Sequence, residues 1–192
     1  MESKSKATKH HWIYPLGGAA LLKKALDWED RKTRQGKSYA VIEASREGPP
    51  AGRLANVGNH DVLYVYADAV RDGRLGEWQL DATRLAEHLR GEGLDPAHCS
   101  VKVFASFSGD DAGAAPCYAE ALYEAMRREF PHMTVFGFRG KVDTEGFDGH
   151  KTAGLSQEES VDGLSREDWL ERGARARDNR IQFPPSHSIE DD

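Results

Sequence analysis

The chain has 192 residues, which is enough for one folded domain with extensions and too few for two full domains. Hydrophobic residues make up 39% of it, charged residues make up 30%, and the formal net charge is −6. This composition is typical of a water-soluble, mildly acidic protein. The basic residues are scattered and form no stripe, so we expect no binding to nucleic acid.

The sequence contains no pattern typical of a membrane anchor, a secretory signal or a metal site. No segment approaches the roughly 18 apolar residues of a membrane span, and the first residues lead into no apolar signal region. The cysteines, Cys99 and Cys117, are too few for a disulfide scaffold and are not spaced as zinc ligands. We therefore expect reduced thiols, no cofactor and no metal. A cytoplasmic protein, or one secreted without a cleavable signal peptide, fits these features.

The predicted elements alternate between strands and helices along the chain. Five segments have the length and residue types of strands: 10–16, 38–44, 61–67, 101–106 and 133–138. Three segments have apolar residues at helical spacing: 19–32, 80–94 and 117–130. The third strand, DVLYVYA, is apolar at nearly every position, as expected when helices cover both faces of a parallel sheet. Asp81 is placed to cap the second helix.

This alternation predicts an α/β fold, a three-layer sandwich with a mostly parallel central sheet. We expect a flexible segment at residues 1–9, the α/β domain at 10–140, and a polar extension at 141–192. The extension contains one predicted helix at 165–178 and a tail whose composition indicates disorder. Trp169 and Leu170 are expected to anchor that helix on the domain; a small apolar patch for a partner is the alternative.

Polar and small residues follow the predicted strands where a ligand would bind. In open α/β sheets the ligand crevice lies beyond the carboxyl ends of the strands. The residues at these ends include Gly17-Gly18, Asp68 and Ser106, and we expect a ligand edge there. The candidate binding residues beside them are Ser108, Gly109, Asp110, Asp111 and Arg139.

Residues 60–140 resemble a known family of enzymes. The successive segments DVLYVYADA, VKVFASFSG and MTVFGFRG resemble the core of the caspase-like clan of cysteine peptidases, particularly bacterial self-processing toxin domains. In that family the first strand ends in His-Gly, and the second ends in Ala-Cys followed by Ser-Gly. Here Asp68-Ala69 stands for the first pair, and Ala105-Ser106 precedes Ser108-Gly109. The resemblance implies a caspase-like fold in which both catalytic positions are changed.

These two changes favour a protein without peptidase activity. A cysteine peptidase needs a thiolate and an imidazole that manages its proton. Asp68 and Ser106 would not replace them, because a hydroxyl is a poor nucleophile at neutral pH and a carboxylate is a weak base for it. Our leading hypothesis is therefore a caspase-like pseudoenzyme that binds a protein partner, as a bacterial secreted effector or the partner of one.

Two alternatives stay open at this point. The first is a hydrolase or cysteine peptidase that uses Cys117 with His150, or the Asp68/Ser106 pair; Cys117 begins a helix whose dipole would lower its pKa. The second is an immunity or adaptor protein that holds a basic partner through its acidic surface and C-terminal helix. Asp110 and Asp111 would also offer oxygen ligands for Mg²⁺ or Ca²⁺, although adjacent acids in a loop more often form caps or turns.

Overall fold

The computed structural model of the protein describes residues 9–47, 50–111, 115–144, 151–155, 165–171 and 175–185. Within these residues the strands are β1 (His11–Pro15), β2 (Tyr39–Val41), β3 (Val62–Arg71), β4 (Arg74–Leu75), β5 (Ser100–Ser106), β6 (Thr134–Phe138), β7 (Lys141–Asp143), β8 (Thr152–Leu155) and β9 (Arg180–Phe183). The helices are α1 (Ala19–Arg34), α2 (Ala82–Gly91), α3 (Tyr118–Met126) and α4 (Arg166–Glu171). None of these helices is long and apolar enough to cross a membrane.

The central sheet has the strand order β2-β1-β3-β5-β6-β9. The first five of these strands are parallel to their neighbours, and β9 runs antiparallel to β6. The short strand β4 pairs antiparallel with the end of β3, and β7 and β8 form a separate antiparallel pair. The predicted α/β class with a mostly parallel central sheet is confirmed.

Helices cover both faces of this sheet because side chains alternate between the faces along each strand. One face packs against α1 and carries these buried residues: Ile13, Val62, Tyr64, Tyr66, Phe104 and Phe138. The other face packs against α2 and α3 and carries these: Tyr14, Leu63, Val65, Val101, Val103 and Val135. The near-continuous apolar runs of β3 and β5 in the sequence follow from this double coverage.

Local signals place α2 and its packing. The Asp81 carboxylate accepts a hydrogen bond of 2.8 Å from the Arg84 backbone N–H, so the predicted N-cap is confirmed. Leu85 and Leu89 lie one turn apart and are fully buried in the core. The helix therefore begins and docks as the sequence pattern predicts.

The structure differs from the sequence-based prediction at two places. The third strand does not end at Ala67, because its pairing with β4 extends it to Arg71. The extension contributes strands as well as a helix: β9 joins the central sheet, and Ala153 and Ala176 enter its core. The helix there is also shorter than predicted, since it ends at Glu171 and a turn follows Arg175.

Some predictions concern parts of the chain that the structure does not describe. Of the segments predicted to be flexible (1–9) and disordered (184–192), residues 1–8 and 186–192 lie outside the described residues. The same holds for the side chains of Trp169 and Leu170, although their backbone belongs to α4.

Candidate functional site

A cavity of about 600 Å³ opens at the carboxyl ends of β3 and β5. Ligands of open α/β sheets bind beyond the carboxyl ends of the strands. We call this space the strand-end cavity; it is lined by Lys24, Tyr66, Ala67, Asp68, Ala69, Arg71, Ser106, Phe107, Lys141, Val142, Asp143 and Thr144.

A β-bulge on β3 places Asp68 at this cavity. Tyr66 pairs with Phe104, and the next pair joins Ala69 to Ser106, so β3 has one more residue than β5 between the two pairs. A bulge of this kind changes the direction in which a side chain points. Ala67 is fully buried, whereas Asp68 is exposed at the cavity. Asp68 and Ser106 therefore line one space, as their positions after the two strands predict.

The Ser106 hydroxyl already has a backbone partner. Its Oγ accepts a hydrogen bond of 3.1 Å from the Val142 N–H at the centre of β7, and the residue is only 6% exposed. Within the described residues, no histidine forms a hydrogen bond with Ser106. The imidazoles of His60, His88 and His98 contact other groups, namely Cys99, Tyr14 and two backbone carbonyls. Among the described residues, no imidazole is therefore placed to activate this hydroxyl.

The loop after β5 is fixed to the end of β6 by polar side chains. Ser108 Oγ donates to the Val103 carbonyl at 2.8 Å and accepts from the Phe138 N–H at 3.0 Å. The Asp110 carboxylate accepts from the Gly140 N–H at 3.1 and 3.2 Å. A side chain at Gly109 would meet the Phe138 nitrogen at 2.9 Å. Three candidate binding residues thus hold this loop in place, and the buried Ser108 has no face toward a ligand.

Phe107 stands between the strand-end cavity and a second cavity. Its φ of 65° lies in the left-handed region that a bulky side chain rarely adopts. The Phe107 N–H donates to the Gly140 carbonyl at 2.8 Å, which fixes this conformation. Phe107 is half-buried and lines both cavities. A strained residue at such a position is a common feature of binding sites.

The strand-end cavity carries charges of both signs. Lys24, Arg71 and Lys141 bring positive charge to its lining, and Asp68 and Asp143 bring negative charge. Burial, followed by these two carboxylates, raises the pKa of the neighbouring tyrosine, Tyr66. Its hydroxyl therefore keeps its proton at neutral pH and serves as a hydrogen-bond donor.

Cys117 is buried at the start of α3. The residue is 1% exposed, and burial raises the pKa of its thiol. The backbone N–H groups of Glu120 and Ala119 lower that pKa, but they do not outweigh burial. The thiol is therefore protonated at neutral pH and is a poor nucleophile. Its suggested partner, His150, lies outside the described residues, so the Cys117/His150 pair stays a prediction.

The second cavity, of about 560 Å³, lies on the other side of Phe107. We call it the acidic groove; it is lined by Val70, Asp72, Gly73, Asp81, Ala82, Thr83, Phe107, Asp110, Asp111, Pro116, Tyr118 and Ala121. Asp111 is exposed on its rim, as a binding role requires. Asp110 contributes to the groove as well as to the loop contact with Gly140.

The remaining strand-end candidates lie apart from these two cavities. Arg139 is exposed, and its backbone N–H donates to the Asn179 carbonyl at 3.0 Å. Gly18, at the start of α1, donates its N–H to Glu77 Oε2 at 2.9 Å. A carboxylate of the chain itself therefore occupies the position at which a helix start would bind an anion.

Several residues of the strand-end cavity were missed by sequence reasoning. The predicted third strand ends before Arg71, and the predicted polar extension includes Lys141, Asp143 and Thr144. The sequence pattern around Lys141 and Asp143 indicates a site only weakly, because β7 has three residues and gains its role from its position beside Ser106. Lys24 reaches the cavity from α1, which no local pattern indicates.

The acids at these strand ends do not form a metal centre in the part of the chain that the structure describes. No three Asp, Glu, His or Cys side chains in it lie close enough together to hold a metal ion. The described contacts give Asp110 the role of a turn or cap residue. Comparison with known proteins yields no matching family model and no matching curated protein.

Proposed function

We propose that this chain is a caspase-like protein without catalytic activity, which acts by holding a segment of a protein partner in the strand-end cavity. One observation carries the proposal: the cavity lies where the resemblance implies a catalytic pair, but Ser106 there accepts a hydrogen bond from Val142 and contacts no described imidazole. The bacterial effector, or effector partner, suggested by the resemblance remains part of this proposal.

The lining of the cavity supports binding to a peptide. Its charged groups, Lys24, Arg71 and Asp143 among them, would pair with charges of either sign on a partner. The protonated hydroxyl of Tyr66 would donate to a backbone carbonyl of the segment. A volume of about 600 Å³ is sufficient for several side chains.

Selection from a displayed peptide library on the immobilised full chain tests this proposal. We expect peptides to be retained and recovered uncleaved, as measured by mass spectrometry. Ala69→Trp should reduce retention about tenfold, which corresponds to about 1.4 kcal/mol, because the indole would fill the cavity. Ala125→Trp is the matched control, since Ala125 is exposed on α3 and lines neither cavity. Thermal unfolding of both variants shows whether they fold.

The same experiment decides between binding and hydrolysis. Cleaved peptides that disappear with Ser106→Ala or Asp68→Ala would contradict the proposal and favour the hydrolase. Cleavage that depends on Cys117 would favour the cysteine peptidase. Equal retention by Ala69→Trp and the wild-type chain would place binding outside the strand-end cavity.

The adaptor alternative needs a different test from simple removal of the extension. A chain ending at residue 140 would lack β9, which pairs with β6 in the central sheet. Reversing the charge of α4 with Glu167→Lys keeps the sheet intact, because Glu167 is exposed. Loss of partner retention in this variant would favour the adaptor hypothesis.

A further inference from the structure

The acidic groove combines an apolar floor with a charged rim. The floor is formed by Val70 at the end of β3, Phe107 and Tyr118, and the exposed Pro116 lies beside them. The Tyr118 hydroxyl donates to the Leu80 carbonyl at 3.0 Å, so its polar atom is satisfied and its ring forms part of the wall. Such a floor would cover the aliphatic part of a ligand.

The charged residues that line the groove are all acidic, and Arg84 lies outside this lining but within 4.0 Å of Asp81. Four carboxylates lie among the described lining residues, and no Lys, Arg or His lies among them. Asp81 and Asp110 also accept hydrogen bonds from backbone N–H groups, whereas Asp72 and Asp111 are exposed at the surface. The groove is therefore electrostatically complementary to a cation.

The arrangement of the four carboxylates distinguishes between types of cation. In the described chain no three of these groups lie close enough to share a metal ion. A small ion would also gain nothing from the apolar floor. An amine or guanidinium on an aliphatic chain would use both features, with its stem on the floor and its charged head at the rim.

We propose that the acidic groove binds a lysine or arginine side chain of the partner segment that the strand-end cavity holds. This inference rests on the proposed function, which supplies the partner segment. Phe107 lines both cavities, so an extended segment that reaches from one to the other would cross it. The groove then selects the partner by the position of a basic residue. The cavity of about 560 Å³ also leaves room for the residues that flank it.

Four matched pentapeptides serve as probes. Each has two alanines on either side of a central arginine, lysine, glutamine or glutamate, with both ends blocked. Binding to the full chain is followed by the chemical shifts of backbone amides in a titration. We expect saturable shifts at Thr83, Phe107 and Asp111 with the arginine and lysine peptides only, and weaker binding as salt is added.

Variants of the groove provide the controls. Asp72→Asn combined with Asp111→Asn should weaken binding of the arginine peptide at least about threefold, as expected for the loss of two exposed ion pairs. Glu87→Gln removes one negative charge from the exposed face of α2, outside the groove, and should leave binding unchanged. Thr83→Trp should block the groove without removing charge.

The outcomes separate this inference from the proposed function. Equal shifts with the arginine and glutamine peptides would overturn the basic specificity. Shifts confined to Asp68 and Asp143 would overturn the placement, because the basic residue would then lie in the strand-end cavity. If the arginine peptide binds in the groove while Ala69→Trp leaves library retention unchanged, the groove stands and the proposed function fails.

Discussion

The strand-end cavity differs in its charge balance from a second charged region, on the sheet face that packs against α1. In the cavity, acids and bases line an open space together. In the second region, which we call the cationic cluster, His11, Lys102, Lys151 and Arg180 gather around aromatic rings. The strand-end cavity is suited to binding a partner that displaces water. The cationic cluster places like charges against the protein's own core.

In the described chain, the positive charges of the cluster contact aromatic rings rather than carboxylates. Lys151 Nζ lies 4.0 Å from the centre of the Tyr64 ring and donates to its hydroxyl at 2.7 Å. Lys102 Nζ lies 5.3 Å from the same ring centre. Among the described residues, neither lysine makes a salt bridge. Cation–π contacts stabilise such charges by less than burial and mutual repulsion destabilise them.

The difference between the regions shows where the fold carries an electrostatic cost. Burial and the nearby lysines lower the pKa of His11 to about 4. Burial, Arg180 and Lys9 lower the pKa of Lys102 to about 8. Removing charge from the cluster should therefore stabilise the protein, whereas changes at the strand-end cavity should alter binding with little effect on stability.

The largest effect should come from removing a ring beneath the cluster. Trp28 is fully buried, and its ring centre lies 5.1 Å from that of Tyr64 and 5.2 Å from that of Phe104. Trp28→Ala should lower the free energy of unfolding by about 3 to 5 kcal/mol, because it leaves a large cavity. Phe107→Gly at the cavity should change it by less than about 1 kcal/mol, since glycine relieves the left-handed backbone. Urea unfolding measures both, and equal losses would contradict this contrast.

The two cysteines give the next largest contrast. Cys99 is partly exposed, and its Sγ lies 4.0 Å from His60 Nδ1, whereas Cys117 is buried at the start of α3. A thiol-reactive dye should label Cys99 about a hundredfold faster at neutral pH, because Cys117 reacts only after local opening. Cys99→Ser and Cys117→Ala assign the two rates. Faster labelling of Cys117 would favour the cysteine peptidase alternative.

Acid should destabilise the protein through His11. Its pKa is about 4 in the folded chain against an ordinary value of 6.5, so the unfolded chain binds the proton first as pH falls. The free energy of unfolding should decrease by about 1 to 2 kcal/mol between pH 6.5 and 4, a value reduced from the full shift because the ring is only partly buried. His11→Phe keeps the stacking on Tyr39 and should remove this part of the pH dependence. Identical pH profiles for both chains would contradict the assignment.

The smallest effect concerns Lys102. Its folded pKa of about 8 lies below the ordinary value of 10.5, so the charged form is disfavoured by folding at pH 7. Lys102→Met should raise the free energy of unfolding by about 1 kcal/mol, because cation–π contacts offset part of the penalty. Wild-type stability should rise between pH 8 and 10.5, and the variant should lack this rise. Lys141→Met at the cavity is the control and should change stability by less than about 0.5 kcal/mol.

The sequence predicted the parts of the site that follow directly from strand ends. Asp68 and Ser106 line one cavity, because parallel strands that are adjacent in the sheet end at the same edge. It did not predict the bulge at β3, which depends on the register between two strands. It also did not predict the hydrogen bond from the Val142 N–H to the Ser106 hydroxyl, since β7 lies next to Ser106 only in the folded chain.

By itself the sequence determined the alternation of strands and helices, the apolar centre of the sheet and the Asp81 cap, because each depends on residues close together in the chain. The tertiary structure alone decided that β9 joins the central sheet, that Phe107 separates two cavities, and that Lys102 and Lys151 share the ring of Tyr64. These features join residues far apart in the chain, and their energies depend on burial and distance, which no local pattern of residues specifies.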